Sequence, residues 1–540
     1  MPTDRAFSML DWAVLAAYFG ALVLISVLLS RRKADTRDYF LGGRSMPVWA
    51  VAASVIATAT SAATFIGGPE EAYARDLTYL STNIGVIIAV FVVALLFIPA
   101  FYRANVTTVY DLLEQRFGYG AKLAASWAFM LGRVFASGAR IYVAAIPMAL
   151  ILFGLGGDQS AANLILAITV LTIAGILTSF GGGIRTVIWT DVMQVCVFVL
   201  AAAAAVYVLL HRIPVDGAAI VQALRETRVE GASKLTVIKS GVDPGATWLG
   251  INLSQPYTLL TAIFGFSLLN LAAYGTDHDL TQRMLTCRSA VRGSASAFVA
   301  LLINLPMLAV FMSIGLLLYI FYQRPDLMGP AAPAFVPAES KNVFLVFILN
   351  EMPSGLKGLM MAGLFAVGVG SLNSALAAMA ATFMNDAYRP IRQGRSDSHY
   401  VWVGRIATVA WGIVLAGFAC WCVFWHGNET IIQFVLRVMT FAYAGLLGVF
   451  LTALCSRRGN TATAIAALLA GFLLVLLMEP AIWTVWGAWV RWPVDTPTGA
   501  ATMSLADIKL AFPWRLTLAT TAAFLICWSG RPVARGGDGA

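Results

Sequence analysis

The chain has 540 residues, of which 59% are hydrophobic and 12% charged, with a formal net charge of +9 and a mean hydropathy of +0.80. A soluble domain carries about 25% charged residues, so this composition excludes a water-soluble enzyme or binding module and makes lipid the solvent. The positive balance does not point to nucleic acid, because Lys and Arg gather in short segments between apolar runs; six Cys without a CxxC spacing and four scattered His suggest neither a disulfide framework nor a zinc site.

In chain order, apolar runs near the length of about 20 residues that crosses hydrocarbon predict thirteen transmembrane helices. They lie at approximately 10–30, 46–66, 78–101, 123–153, 161–180, 186–210, 255–275, 294–321, 353–386, 402–425, 430–455, 461–479 and 512–529. Backbone groups must bond internally where water is absent, so helices are expected, and the alternating pattern of a membrane barrel is not seen. The fold class is an all-α polytopic membrane protein. The first run is too long for a signal-peptide core and lacks a basic head, so it is read as a retained helix.

The connections alternate in charge. Arg31-Arg32-Lys33, Arg103 to Lys122, Arg185, Arg283 to Arg292, Arg389 to Arg405, Arg457-Arg458 and Arg531 to Arg535 fall on one side, whereas 67–77, 154–160 and 426–429 hold only Arg75. Basic loops stay cytoplasmic. This predicts an external N-terminus and a cytoplasmic C-terminus in the plasma membrane, a bacterial inner membrane. The long segments 211–254 and 480–511 then lie outside, the first holding one helix at 220–230. With so little chain outside the lipid, the chemistry must lie among the spans.

Polar residues inside those spans are the candidates. The stretch SVIATATSAATFIGGP carries Ser54, Thr58, Thr60, Ser61 and Thr64 and ends in Gly67-Gly68-Pro69. Such hydroxyls either bond their own i−4 carbonyls and let helices pack closely, or they mark a helix that breaks at membrane depth. A break frees carbonyls, which transporters use to hold Na⁺, and oxygen ligands suit a hard cation. The carbonyls of Ala57 and Thr60 form one candidate pair. Downstream, AVGVGSLNS (366–374) places Ser371 and Ser374 on one helix face, for ion binding or for close packing.

Asp191, one to two turns into its span, is either functional or an interface Asp solvated from the cytoplasm or paired with Arg185. Arg133 and Arg140, seven apart on one face, either read a carboxylate of an anionic substrate or pair with resident acids and carbonyls. Asn270, four residues before Tyr274, either bonds a substrate or bridges two helices.

Four stretches together resemble the sodium/solute symporter family, which includes sodium-coupled sugar, sialic acid and proline carriers. They are RDYFLGGRSMPVWAVAASVIATATSAATFIGGPEEAY (37–73), GGIRTVIWTDVMQ (182–194), AYGTDHDLTQRMLTCRS (273–289) and GSLNSALAAMAATFMNDAY (370–388). The resemblance implies a leucine-transporter-like core of two inverted five-helix repeats, at about 46–210 and 255–456. An extra helix precedes it within 1–45, an external loop (211–254) separates the repeats, and two helices and a short tail follow within 457–540. It further implies that the first helix of each repeat is broken. In the first repeat the break would fall around Thr60–Thr64, with Gly67–Pro69 ending the helix.

Carried over residue by residue, the family's main sodium site falls on the carbonyls of Ala57, Thr60 and Val367 and on Gly370 and Ser371. The family usually has Ser at both of the last two positions. Gly370 supplies no hydroxyl, so either water or backbone substitutes, or the ion binds more weakly. A second sodium site would fall on Asp191, Asn373 and Ser374. Substrate contacts would fall on Thr64, Asn83, Asn270 and Tyr274, of which only Asn270 is typical of sugar carriers, so sugar is not supported.

The function implied is sodium-coupled import of a small organic solute by alternating access. The alternatives are a transport-independent sensor or a passive channel on the same scaffold. No enzyme is expected, since HExxH and carboxylate–His groupings are lacking. The expected partners are a small organic solute, sodium and the bilayer, with no nucleic acid and no obligate protein partner.

Overall fold

The computed structural model describes residues 7–30, 41–153, 160–179, 183–243, 250–337, 340–425, 430–496 and 499–531. The basic cluster Arg31–Lys33, loop residues 154–159 and 426–429, and Arg535 lie outside the described residues.

Helix α1 (Met9–Ser30) precedes a bent pair, α2 (Val48–Ala59) and α3 (Ala62–Ala74). Then come α4 (Thr78–Arg103), α5 (Tyr119–Phe153), α6 (Ala161–Ser179) and α7 (Ile184–Arg212). The short α8 (Gly217–Glu226) sits in the connecting segment, followed by a small hairpin. A second bent pair, α9 (Leu259–Gly275) and α10 (His278–Leu285), is followed by α11 (Ala290–Gln323), α12 (Leu356–Ile391), α13 (Asp397–Trp425) and α14 (Ile431–Cys455). The chain closes with α15 (Thr461–Leu477), bent against Pro480–Gly487, an antiparallel hairpin (Arg491–Thr496 with Gly499–Ser504) and α16 (Phe512–Trp528).

Nine helices among the described residues are long and apolar enough to cross a membrane, or twelve if each bent pair is one span. The thirteenth expected run is the 17-residue α16. Each of the first two bent pairs opens a set of five such elements. Bilayer-facing surfaces are apolar, as at Leu24, Leu177 and Phe424, while α12 runs through the centre of the bundle and is almost wholly buried from Met360 to Thr382.

The first break is not at Gly67-Gly68-Pro69. Helix α2 ends at Thr60 (ψ 144°) and Ser61 (φ −141°, ψ 173°), both extended, and α3 leaves at 63° to α2. The Gly-Gly-Pro triplet lies inside α3, where it neither breaks nor ends the helix. Its role is close packing. A β-carbon on Gly67 would lie 3.2 Å from the Ile432 backbone nitrogen, so the glycine lets the start of α14 approach. The next two residues of α3 meet that same helix start: the Ile431 amide donates to Glu70 (3.2 Å) and the Thr430 hydroxyl to Glu71 (2.7 Å), placing acids at a positive helix end.

The segment after α7 is fastened to the end of α3 by Lys234. Its buried Nζ donates to the carbonyls of Ala72 (3.2 Å), Tyr73 (2.8 Å) and Arg75 (2.7 Å) and lies 4.2 Å from the Tyr319 ring centre. A cation there satisfies orphan carbonyls at a helix C-terminus. Burial lowers the Lys234 pKa to about 8. Between that value and the ordinary lysine value near 10.4, the unfolded chain binds the proton and the folded chain does not, so folding gains stability as pH rises through this window. Lys234→Met should lower the Tm at pH 7, because three carbonyls lose their donor. It should also remove the rise that the wild type shows between pH 8 and 10 in thermal-unfolding scans.

Candidate functional site

The helical ladder of α2 ends with the Thr60 amide bonding the Ile56 carbonyl (2.8 Å), and that of α3 begins with the Thr64 amide bonding the Ser61 carbonyl (2.8 Å). The carbonyls between, including those of Ala57, Thr58 and Thr60, are released from the helical pattern. Two cavities adjoin this break.

The larger one, about 140 Å³, gathers all six residues expected to contact a substrate: Thr64, Asn83, Arg133, Arg140, Asn270 and Tyr274. The two arginines have different roles. Arg133 is held by Asp277 (Nε to Oδ1, 3.1 Å; a second nitrogen to Oδ2, 2.5 Å) and Asp279 (3.1 Å). The Tyr443 hydroxyl also donates to Asp277 (2.8 Å). Arg140, 8% exposed, has no carboxylate partner among the described residues. It makes only a long contact to the released Thr58 carbonyl (3.4 Å) and one to the Met439 sulfur (3.6 Å), and its Nε has no partner. Asn270 donates to its own i−4 carbonyl, Phe266 (2.8 Å), which leaves its amide oxygen for the cavity.

The smaller cavity, about 10 Å³, is lined by Ala57, Thr60 and Val367 together with Gln194 and three apolar residues. Ser371, buried one turn beyond Val367, donates to the Gly368 carbonyl (3.0 Å). Gly370 faces Gln194 of α7. The expected main sodium set is thereby drawn from the α2 break and from α12, which belong to different halves of the bundle.

The second expected set is organised differently. Asp191, buried in α7, accepts from Ser54 (2.5 Å) and from Arg283 (3.5 Å), not from Arg185. Arg283, read from the sequence as part of a basic loop, is fully buried in α10. Its Nε donates to Ser54 (2.9 Å), one nitrogen to Ser374 (2.5 Å) and another to Asp279 (2.8 Å). A guanidinium thus stands between Asp191 and Ser374. Asn373 is not brought to them, because adjacent helical residues point about 100° apart; its amide oxygen meets Thr178 of α6 (3.0 Å).

The sequence reading did not single out Asp277, Asp279, Arg283, Gln194 and Tyr443. The signal for the first three was present, since three charges in AYGTDHDLTQRM follow directly on an apolar run. Gln194 and Tyr443 carry no such local signal.

Two bent helices opening two five-helix sets, with cavities at the first break, define a secondary transporter of the inverted-repeat, leucine-transporter-like kind. A family model, the sodium:solute symporter family, matches residues 39–471. The chain is 27% identical over 489 residues to the sodium/sialic acid symporter SiaT of Proteus mirabilis, covering 87% of this chain and 89% of that protein. It is 25% identical over 489 residues to the human sodium-coupled monocarboxylate transporter 1, covering 88% and 74%. A solved Na⁺-coupled sialic acid symporter in a substrate-bound outward-open state shares the fold, with a TM-score of 0.76 over 97% of both chains at 23% identity. The chain belongs to the sodium:solute symporter family, and it is a multi-pass, sodium-coupled symporter of solutes.

Proposed function

We propose that this symporter imports a small organic carboxylate, read by Arg140, together with sodium held at the α2 break. The observation that carries this reading is the Arg140 guanidinium, which faces the central cavity without a carboxylate of its own. An unpaired cation at membrane depth is costly and marks a ligand site, and a planar guanidinium matches a carboxylate in two parallel bonds. The named relatives support the same chemistry, since sialic acids and monocarboxylates both carry that group.

Coupling follows from adjacency. Sodium on the carbonyls of Ala57 and Thr60, with Val367, Ser371 and the Gly370 position opposite, and an anion on Arg140 act on one stretch at the end of α2, because Arg140 makes its long contact to the intervening Thr58 carbonyl. Each ligand orders that segment for the other, a coupling of typically about 1–3 kcal/mol. Thr64, Asn83, Asn270 and Tyr274 shape the remainder of the solute site. Asp191 and Ser374 form a second sodium site only when Arg283 withdraws. The basic loops support an external N-terminus and a cytoplasmic C-terminus.

The test is a thermal-shift panel of monocarboxylates, sialic acids, sugars and amino acids in NaCl against KCl. Acids should raise the Tm in sodium only; stabilisation by neutral sugars alone would overturn the reading. For the ion site, Ser371→Ala should raise the Na⁺ concentration for half-maximal uptake on the order of tenfold, about 1.4 kcal/mol, measured in proteoliposomes.

A further inference from the structure

Gln194 projects from α7 one turn beyond Asp191 and is 2% exposed, yet neither its Oε1 nor its Nε2 has a hydrogen-bond partner. The Tyr18 hydroxyl of α1 approaches it without forming a directed bond. Buried amides are normally satisfied, and an orphaned one calls for an explanation. Here the carboxamide borders the small cavity that also contains Ala57, Thr60 and Val367. It lies against Gly370: a β-carbon on Gly370 would collide with Oε1 and fall 2.9 Å from Cδ. The glycine and the glutamine are therefore complementary. No side chain can leave Gly370 while Gln194 keeps this rotamer, and the space that a hydroxyl-bearing residue would take is filled by an amide oxygen. A side-chain amide oxygen is a neutral hard donor, equivalent to a backbone carbonyl as a ligand for a hard cation.

We infer that Gln194 Oε1 is a sodium ligand, supplying from α7 the oxygen that Gly370 of α12 does not supply. The inference rests on the reading of the α2 break as the sodium site and adds a third helix to it. Ala57 and Thr60 contribute from the broken helix, Val367 and Ser371 from α12, and Gln194 from α7. The ion then ties α2, α7 and α12 together, which links occupancy of the break to the packing of the two halves.

The experiment measures equilibrium ²²Na⁺ binding and Na⁺-dependent Tm shifts on the purified full chain, alongside solute uptake. Gln194→Leu should weaken Na⁺ binding at least about tenfold while its Tm without sodium equals or exceeds that of the wild type, because an orphaned amide has been removed. Gly370→Ser alone should weaken Na⁺ binding as well, by collision with Gln194. The double substitution Gln194→Ala with Gly370→Ser should restore Na⁺ affinity to within a few-fold of the wild type, since the hydroxyl returns and the collision is gone. Wild-type Na⁺ affinity in Gln194→Leu, or a double variant no better than Gln194→Leu, would overturn the inference. Ser371→Ala separates the two levels of the argument. If it weakens Na⁺ binding while Gln194→Leu does not, only the glutamine assignment fails. If neither variant changes Na⁺ binding, the sodium site itself is misplaced.

Discussion

Arg140→Gln should abolish sodium-driven uptake of carboxylates while leaving the protein folded. Truncating one partner of a buried, hydrogen-bonded charge pair costs about 2–5 kcal/mol, which is roughly 30- to several-thousand-fold in solute affinity. The fold should not suffer, because Arg140 has no resident acid to strand, and removing an uncompensated cation from membrane depth relieves a penalty. Arg133→Gln is the internal control. It would leave Asp277 and Asp279 side by side without the guanidinium that holds both, and should lower the Tm sharply. Thermal unfolding of both variants, with carboxylate uptake in proteoliposomes, distinguishes the two roles. An Arg140→Gln protein that transports acids normally would remove this arginine from the solute site, and one that unfolds would show that it is structural.

The second large effect is expected at Arg283. Arg283→Met should destabilise the protein by about 3–5 kcal/mol, the usual cost of removing one side of a buried ion pair. The arginine is fully buried and bonds Ser54, Ser374, Asp191 and Asp279 at once. Its loss leaves Asp191 without a cation and Asp279 with Arg133 alone. Adding Asp191→Asn to Arg283→Met should recover part of the loss, with a coupling on the order of 1–3 kcal/mol in a double-mutant cycle. The space vacated between Asp191 and Ser374 suits a small cation, so the Tm of Arg283→Met should rise more steeply with NaCl than that of the wild type, and more than with choline chloride. Equal salt responses would remove Asp191 and Ser374 from any sodium site.

The broken helix illustrates how far local sequence reaches. Hydroxyls and glycines in SVIATATSAATFIGGP announced an interruption, and the family pattern brought it to Thr60–Thr64, but the most conspicuous breaker, Gly67-Gly68-Pro69, lies inside α3. A Gly-Pro pair in isolation favours a break. Here the glycine instead admits a neighbouring helix, and that packing overrides propensity. Arg283 teaches the same lesson in charge. Counted along the chain it belonged to a basic loop, but α10 folds back into the bundle at 56° to α9 and buries it.

The sequence alone determined that the chain crosses a membrane many times as helices, where those helices run, which family it resembles, and six of the residues that line the central cavity. These follow from hydropathy, from the length needed to span lipid and from motifs that are contiguous in sequence. Only the tertiary structure decided that Arg133 is committed to Asp277 and Asp279 while Arg140 is not, that a guanidinium stands between Asp191 and Ser374, and that Gln194 fills the space beside Gly370. Each of these depends on side chains from helices far apart in the chain meeting in a dry interior. There the partner of a polar group is fixed by packing, and spacing along the sequence carries no record of it.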